Sequence, residues 1–450
     1  MRLLLIIPAY FCKNNPIINT LVINFRIHRT GKIIKKMNKI IIAVISYVLL
    51  TACTGNEQIK KQNQSLKTMT TDSTKQYGYN VNFLKKYIDV IELKKGNSAV
   101  AIVPGWQGRV MTSTSEGPGG FSFGWINNNL ISSGEALPHI NPYGGEERLW
   151  LGPEGGQFSI FFKKGDEFIY EKWQTPAFLD TIPFKITELS DSSVTFFHSA
   201  ETENYSGTPF DLEIDRKITL LNENQIMKET GIDMTGINFV AYRSDNKLTN
   251  SGSAEWRKET GLLSVWMLGM FIPSPAVMVV IPVREGNERD LGVAVNDNYF
   301  GKIAADRLKI SGGNIYFRAD GKSRGKIGIN PKRAMGIMGS YDFDNNILTL
   351  LLCKLPENKT EYVNSAWKIQ DDPFSGDALN SYNDGPLEDG SQMGPFYELE
   401  TSSPAADLKP GESITQSQIT IHFTGNKDRL NQAAIKSLGV SLDEIEGVFK

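Results

Sequence analysis

The chain has 450 residues with 48 Lys and Arg against 50 Asp and Glu, and residues 1–52 hold eight of the basic residues and no acidic one. The remaining chain is therefore acidic, which excludes nucleic acid as a partner and favours a neutral ligand over a polyanion. Three cysteines exclude a disulfide framework, and Cys353, inside the apolar run ILTLLLCKL, is predicted to be a small buried side chain.

The first predicted element is a signal segment in residues 1–52 whose true start is Met37. Lys39 supplies a short cationic region, residues 40–50 are apolar, and the motif LTAC ends at Cys53. The apolar run is shorter than the roughly 20 residues that span a bilayer, which argues against a transmembrane anchor. Residues before Met37 read as an upstream extension, although their run MRLLLIIPAYF leaves a second membrane element open.

The LTAC motif resembles the lipobox of bacterial lipoproteins. This resemblance implies cleavage before Cys53, lipidation of Cys53, and a protein that is attached by lipid to the bacterial cell envelope. Residues 53–78 are predicted to be a flexible tether, because they are polar and contain almost no large apolar side chains that could be buried. Glu57 is the one acidic residue close behind Cys53, which favours a periplasm-facing or outer-membrane location.

Residues 79–425 are predicted to form one all-β domain. Its opening stretch VNFLKKYIDVIEL, residues 81–93, has apolar residues at helical spacing and predicts one short helix. After it come short β-rich runs such as SAVAIVP, SVTFFHS and AVMVVIPV, separated by Gly, Pro, Asn and Asp. No linker-like change of composition and no fixed repeat divides them, so an antiparallel β-sandwich is predicted.

The chain closes with a predicted helical cap in residues 426–450. Four apolar residues fall on one helical face, namely Leu430, Ala433, Ala434 and Leu438. We expect this stripe to pack on the sandwich, because a single amphipathic stripe more often meets its own core. A partner-binding helix is the alternative.

The leading site candidate lies in residues 377–412. In the run FYELETS, strand alternation places Glu398 and Glu400 on one face, about 7 Å apart, where each charge raises the pKa of the other. Such a pair suits general acid and base chemistry. The loop before the strand is rich in donors and acceptors, as a polyhydroxylated ligand requires: Asn380, Tyr382, Asn383, Asp384 and Asp389. The alternative is a solvent-facing strand after an ordinary polar turn.

A second informative stretch is HINPYGGEERLWLGPEGGQFSIFF, residues 139–162. If its centre is extended, Glu146, Arg148 and Trp150 share a face, and an acid, a planar cation and a ring make a sugar platform. The alternative is an internal salt bridge beside a buried Trp. The glycines lack a phosphate-loop pattern, which argues against a nucleotide site.

Trp367 is followed by several acidic residues and is predicted to be a second stacking ring. The spacing of these acids is not that of a calcium-binding loop, so neither a metal nor a cofactor is predicted.

These segments together resemble the galactose mutarotase-like superfamily, which includes aldose 1-epimerases and hexose-6-phosphate epimerases. GGEERLWLGPEGG is similar to their Gly-Gly turn, GTPFDLEIDRKITLL to a central strand pair with its Arg, here Arg216, and YELETSSPAADLKPGES to the late strand with the catalytic Glu. The likeness spans about residues 79–445 and is closest to an uncharacterised lipoprotein family. It implies a large antiparallel β-sandwich, or supersandwich, with short flanking helices, a carbohydrate ligand, and Glu400 as base.

The sequence also departs from the epimerase pattern. The region that would carry the acidic His, NKLTNSGSAEW, contains Asn250 but no His, and Tyr143 stands directly before the Gly-Gly turn. Ring opening of an aldose needs an acid at the ring oxygen. If Glu400 is the base, the acid is His139, Asp384 or Glu398.

Two functions remain open at this stage. The first is an enzyme, an epimerase or another carbohydrate-active type, in which Glu400 moves a proton. The second is a carbohydrate-binding or structural envelope protein without chemistry. Their geometries differ: a second acid that meets Glu400 in one open cleft favours catalysis, whereas burial of these acids in salt bridges favours binding or structure.

Overall fold

Residues 73–450, which this computed structural model describes, are built mostly of antiparallel β-strands. The strands are β1 (Ile91–Lys95), β2 (Ser98–Val103), β3 (Arg109–Thr114), β4 (Arg148–Gly152), β5 (Lys185–Leu189), β6 (Ser193–Glu203), β7 (Pro209–Leu220), β8 (Ile237–Asn250), β9 (Ser264–Phe271), β10 (Val277–Pro282), β11 (Leu308–Ser311), β12 (Asn314–Arg318), β13 (Gly325–Ile329), β14 (Ile337–Asp342), β15 (Ile347–Cys353), β16 (Leu379–Asn383), β17 (Tyr397–Ser402) and β18 (Ser413–Gly425). The helices are α1 (Tyr77–Leu84), α2 (Asn128–Ser133), α3 (Ala177–Asp180), α4 (Glu223–Thr230), α5 (Glu288–Leu291), α6 (Lys427–Leu438) and α7 (Leu442–Gly447).

The strands form three sheets. The largest has ten strands in the order β11-β12-β10-β14-β15-β18-β8-β7-β6-β5, the second has five in the order β13-β16-β17-β9-β4, and the third is β1-β2-β3. The predicted all-β class with short helices is confirmed. The predicted signal segment, the lipidation site Cys53 and most of the predicted tether lie outside the described residues.

The ten-stranded and five-stranded sheets enclose the main core. On β17, Tyr397 and Leu399 point inward and pack with Phe271 of β9 and Val279 of β10. The other two residues of this alternation, Glu398 and Glu400, therefore point away from the sandwich interior. This alternation positions the candidate site on the outer side of the five-stranded sheet.

The outer face of the ten-stranded sheet is covered by helices. The α6 residues named in the predicted stripe, Leu430, Ala433, Ala434 and Leu438, are all buried there, beside Ile421 and Phe423 of β18. Asn426 caps the first turn by accepting hydrogen bonds from two backbone amides, and Gly439 ends the helix at φ 71°. The closing helix therefore packs on its own sandwich, as predicted.

The opening helix differs from its prediction. It begins at Tyr77, inside the predicted tether, and ends at Leu84, while residues 91–95 form β1. Tyr77 and Val81 pack on Ala99 and Ala101 of the small sheet, so tertiary contact fixes this first turn. No helix within residues 73–450 has the length and apolar character needed to cross a membrane.

Candidate functional site

Charged and aromatic side chains share the outer side of the five-stranded sheet. Residues directly opposite one another in an antiparallel sheet point to the same side, and the register pairs Lys326 with Tyr382, Tyr382 with Glu398, Asn380 with Glu400, and Trp150 with Trp266. We call this side the charged face. Its members are Lys326 on β13, Asn380 and Tyr382 on β16, Glu398 and Glu400 on β17, Ser264 and Trp266 on β9, and Arg148 and Trp150 on β4.

Glu400 lies at the centre of the charged face with 0% of its surface exposed. Its Oε2 atom accepts hydrogen bonds from the Trp266 indole at 2.9 Å and from the Lys326 ammonium at 3.0 Å. The Lys326 ammonium also lies 4.8 Å from the centre of the Trp266 ring. Both partners use the same carboxylate oxygen, so Oε1 has none among residues 73–450.

Glu398 forms the neighbouring buried ion pair. Its Oε1 atom accepts a hydrogen bond of 2.9 Å from Arg148, whose guanidinium carbon lies 4.6 Å from the centre of the Trp150 ring. Burial raises the pKa of Glu398 to about 7 against the opposing charge of Arg148, and the carboxylate of Glu400 adds to the rise. Glu398 can therefore gain or lose a proton near neutral pH.

A third carboxylate, that of Glu154, belongs to the same charge cluster. It is only partly exposed, and the Trp367 side chain lies close to it. Burial raises the pKa of Glu154 to about 7 against the charge of Lys326, and Glu400 adds to the rise. At Lys326, burial lowers the pKa, but Glu400, Glu154 and Glu398 outweigh it and keep the pKa above its ordinary value. Lys326 is therefore the fixed positive charge of the cluster.

Aromatic side chains from two loops stand above the charged face. Trp367 contacts Phe162 edge to face at 5.2 Å, and Tyr299 places its ring 5.5 Å from the Lys326 ammonium. The Tyr299 hydroxyl donates to Asp377 at 2.7 Å, and burial raises the pKa of that carboxyl. Asp377 thereby holds the loop that carries Tyr299 over the sheet.

Several buried polar atoms of the charged face have no hydrogen-bond partner within the part of the chain that the structure describes. They are Arg148 Nε, Trp150 Nε1, Ser264 Oγ and Glu400 Oε1, and the same holds for Trp173 Nε1 and Thr175 Oγ1 in the segment packed beside Trp150. Buried polar groups in folded proteins nearly always have partners. Their concentration on one side of the five-stranded sheet therefore points to a site for a polar ligand.

Asn380, Tyr382 and Asn383, which were predicted to lie in a loop, are on strand β16, and the strand divides them between the two sides of the sheet. Asn380 and Tyr382 lie on the charged face, and the Tyr382 hydroxyl donates to Asp384 at 2.5 Å. The second oxygen of Asp384 accepts from the Gly394 amide, so both carboxylate oxygens of this predicted acid have partners. Asn383 points to the other side and binds Gly321 and Ser323, which gives it a structural contact.

Glu146 does not share a side with Arg148 and Trp150, which corrects the predicted platform. It lies in the sandwich interior, where its Oε2 atom is 2.6 Å from His422 Nε2. The backbone of Glu147 pairs with Val110 of β3, so the chain joins β9 only from Arg148 onward. Because the chain before Arg148 is not paired with β9, the side chains of Glu146 and Arg148 point in different directions.

A second buried polar network lies inside the sandwich. Glu147 accepts hydrogen bonds from Arg216 at 2.8 Å, Ser244 at 2.8 Å and Gln418 at 2.6 Å, and both members of the ion pair are fully buried. Its principal atoms are thus satisfied within the protein. Arg216, the Arg of the central strand pair, therefore has a structural role in this network.

His139 lies beside the charged face and is separated from it by Trp173. Its Nδ1 atom is 2.7 Å from the Trp173 carbonyl, and the Trp173 ring is 6.2 Å from that of Trp150. The carbonyl can only accept, so Nδ1 carries a proton. His139 does not contact Glu400, so its geometry gives no support to the predicted role as the acid.

Sequence reasoning missed the part that Glu154 and Tyr299 play in the cluster. Glu154 lies in the glycine-rich turn already singled out, but nothing local shows that this turn reaches the charged face. No group of His, Cys, Asp or Glu side chains in residues 73–450 has the arrangement of a metal site. Cys353 is partly buried, and burial raises the pKa of its thiol to about 12, as expected of an unreactive side chain.

The fold and this site define an antiparallel two-sheet β-sandwich protein with a buried charged and aromatic site. The chain belongs to the family of unknown function DUF6786, whose model matches residues 75–449. No curated protein matches the sequence.

Solved structures with a similar fold include galactose mutarotase relatives. A galactose mutarotase-like protein from Lactobacillus casei has 11% sequence identity over 74% of this chain and 100% of its own, with a TM-score of 0.45. A protein from Synechocystis has 12% identity over 75% and 96%, with a TM-score of 0.45. A galactose mutarotase related enzyme from Lactobacillus acidophilus has 10% identity over 75% and 97%, with a TM-score of 0.41.

Proposed function

We propose that this protein binds a carbohydrate on the charged face, with Glu400 and Trp266 at the floor of the site. The observation that carries the proposal is the Glu400 Oε1 atom, which has no partner among residues 73–450 and is fully buried on a carboxylate that the Trp266 indole binds through its other oxygen. A buried carboxylate oxygen without a donor is costly, and a ligand hydroxyl would supply that donor.

The groups of the charged face that lack a partner in the described part of the chain together match the same ligand chemistry. Arg148 Nε and Trp150 Nε1 can only donate, Glu400 Oε1 can only accept, and Ser264 Oγ can do both. A sugar hydroxyl both donates and accepts, so one polyhydroxylated molecule can serve this mixed set. The surrounding Trp367 and Tyr299 rings offer apolar surface for the C–H faces of a pyranose.

The charges favour recognition over chemistry as the first function. Glu398 and Glu400 lie together, but each is buried in an ion pair, with Arg148 and Lys326 respectively. Opposite charges that offset one another suit a neutral ligand. This is the geometry that the sequence argument associates with binding.

A glycan array tests the proposal with the full chain solubilised in detergent. Glu400→Gln removes the charge at the floor and keeps the shape, and Glu361→Gln is the matched control because Glu361 pairs with Lys258 at the surface. We expect the wild type and Glu361→Gln to bind the same sugars and Glu400→Gln to lose them. Absence of any sugar binding by the wild type would overturn the proposal.

A second function, proton transfer on a bound aldose, is favoured by the acids around Glu400. Burial raises the pKa of Glu154 and of Glu398 to about 7, so either side chain can supply a proton near neutral pH while Glu400 accepts one. The test is exchange between α and β anomers of the sugars that bind, followed by NMR. Catalysis predicts exchange faster than in buffer that Glu400→Gln abolishes; binding with unchanged exchange would leave recognition alone.

We also propose that lipid on Cys53 holds the protein in the bacterial cell envelope. The support is the LTAC motif after the apolar run that begins behind Lys39. Mass spectrometry of the membrane-bound protein should find the chain beginning at a lipidated Cys53, and Cys53→Ser should leave the precursor unprocessed. A mature chain that retains residues before Cys53 would contradict this.

A further inference from the structure

We propose that the ligand is an oligosaccharide and that a second sugar unit binds at Tyr170 and His139, which we call the outer subsite. This inference rests on the proposed carbohydrate site and extends it. It gives a role to two residues outside the charge cluster, one of which the sequence had singled out as an acid.

Tyr170 offers the ring that such a subsite needs. It is 53% exposed, and its ring centre lies 6.0 Å from that of Trp173 with an angle of 21° between the planes. The buried Trp173 ring therefore supports the exposed Tyr170 ring and holds its orientation. Exposed rigid tyrosines lose little conformational entropy on binding, which makes them good platforms for a ligand.

His139 adds a polar group to that ring. Its side chain lies 4.9 Å from the Tyr170 ring, measured between centres, and its Nδ1 atom is held by the Trp173 carbonyl. Because Nδ1 donates to that carbonyl, Nε2 is the ring nitrogen left to meet a ligand. A ring beside such a nitrogen is a suitable contact for a second pyranose, whose C–H face stacks while a hydroxyl hydrogen-bonds to Nε2.

The outer subsite is continuous with the charged face through Trp173. Trp173 contacts Tyr170 on the surface side, and it contacts Trp367 at 5.9 Å and Trp150 at 6.2 Å on the side of the charged face. Trp173 is itself buried, so it supports both subsites without being exposed at either. The two ligand-facing regions therefore share one rigid aromatic support.

The surroundings of Tyr170 suit a sugar chain. Ile169 is exposed next to Tyr170, and the same short segment carries several charged side chains. They are Lys163, Lys164, Asp166, Glu167, Glu171 and Lys172. Both signs of charge occur among them, so no polyanion or polycation is selected. An uncharged glycan extending from the charged face is the occupant that this continuity favours.

Calorimetric titration of the full chain in detergent tests this inference. The probes are glucose, galactose and mannose, together with maltotriose, cellotriose, β-1,4-galactotriose and β-1,4-mannotriose. We expect a trisaccharide to bind more tightly than its monosaccharide, and Tyr170→Ala to weaken only the trisaccharide, by about three- to tenfold. Tyr170→Phe should keep the tight binding, and Tyr87→Ala, which removes a similarly exposed tyrosine from beyond α1, should change nothing.

The outcomes separate the outer subsite from the primary site. If a monosaccharide binds, Glu400→Gln weakens its binding and Tyr170→Ala has no effect on any trisaccharide, the outer subsite is overturned and the primary site stands. Equal affinities for mono- and trisaccharides would also overturn it. If none of the sugars binds the wild type, both proposals fall.

Discussion

Lys326 and Glu400 form a buried ion pair of 3.0 Å across an intervening strand, because β16 lies between the strands that carry them. The Lys326 side chain crosses the surface of β16 to reach the carboxylate. Since Trp266 binds the same oxygen, the pair fixes Glu400, while the other carboxylate oxygen has no partner within the described residues 73–450. The charged face is therefore both rigid and incomplete.

Lys326→Met should destabilise the protein strongly, because Glu400 would be left buried without the opposite charge and with one hydrogen-bond donor fewer. We expect a loss of about 3 to 5 kcal/mol in the free energy of unfolding, measured with urea. Lys258→Met is the matched control, since Lys258 pairs with Glu361 at the surface, and it should cost less than about 1 kcal/mol. Equal effects of the two changes would contradict the buried pair.

The pKa of Glu398 predicts a pH dependence of stability. Burial raises it from 4.5 to about 7, so the folded protein holds more protons than the unfolded chain between these values. The free energy of unfolding therefore falls as pH rises from about 4.5 to about 7, and this contribution is constant above that range.

Glu398→Gln isolates this contribution. It removes the titrating group, so the stability of the variant relative to wild type should rise as pH rises over the same range. Urea unfolding of both proteins at several pH values measures the difference. A difference that stays constant, or that changes in the opposite direction, would contradict the raised pKa.

Gly144 in the Gly-Gly turn should not tolerate a side chain. Its φ is 95°, and a Cβ atom there would lie 2.1 Å from the Trp125 carbonyl oxygen. Gly134 has a φ of 67° with no atom near its Cβ position, so Gly134→Ala measures backbone strain alone, roughly 1 to 2 kcal/mol. Gly144→Ala should cost more than about 3 kcal/mol in urea unfolding. Equal costs would show that the turn is not tightly packed.

Local patterns predict features that depend on neighbours in sequence. The alternation in FYELETS places Glu398 and Glu400 on one side of β17, as the structure has them, and helical spacing identifies the buried stripe of α6. Both follow from the side-chain periodicity of a single strand or helix. Neither requires knowledge of which elements are adjacent.

Local sequence patterns could not predict the features that depend on tertiary contact. The charge cluster joins Glu154, Lys326 and Glu400, and the last two are brought together by the strand order of one sheet. The prediction that Glu146 shares a face with Arg148 was also wrong, because Glu147 pairs with β3 while Arg148 pairs with β9. The start of α1 at Tyr77 likewise depends on packing against the small sheet.

The most direct test of the account is titration calorimetry of a sugar from the glycan screen into the wild type, Glu400→Gln and Glu361→Gln. A hydrogen bond from the ligand to a buried charged oxygen predicts that Glu400→Gln weakens binding by about ten- to a hundredfold. Glu361→Gln should keep the wild-type affinity. Binding that is equally tight in all three proteins would show that the sugar site is not on the charged face.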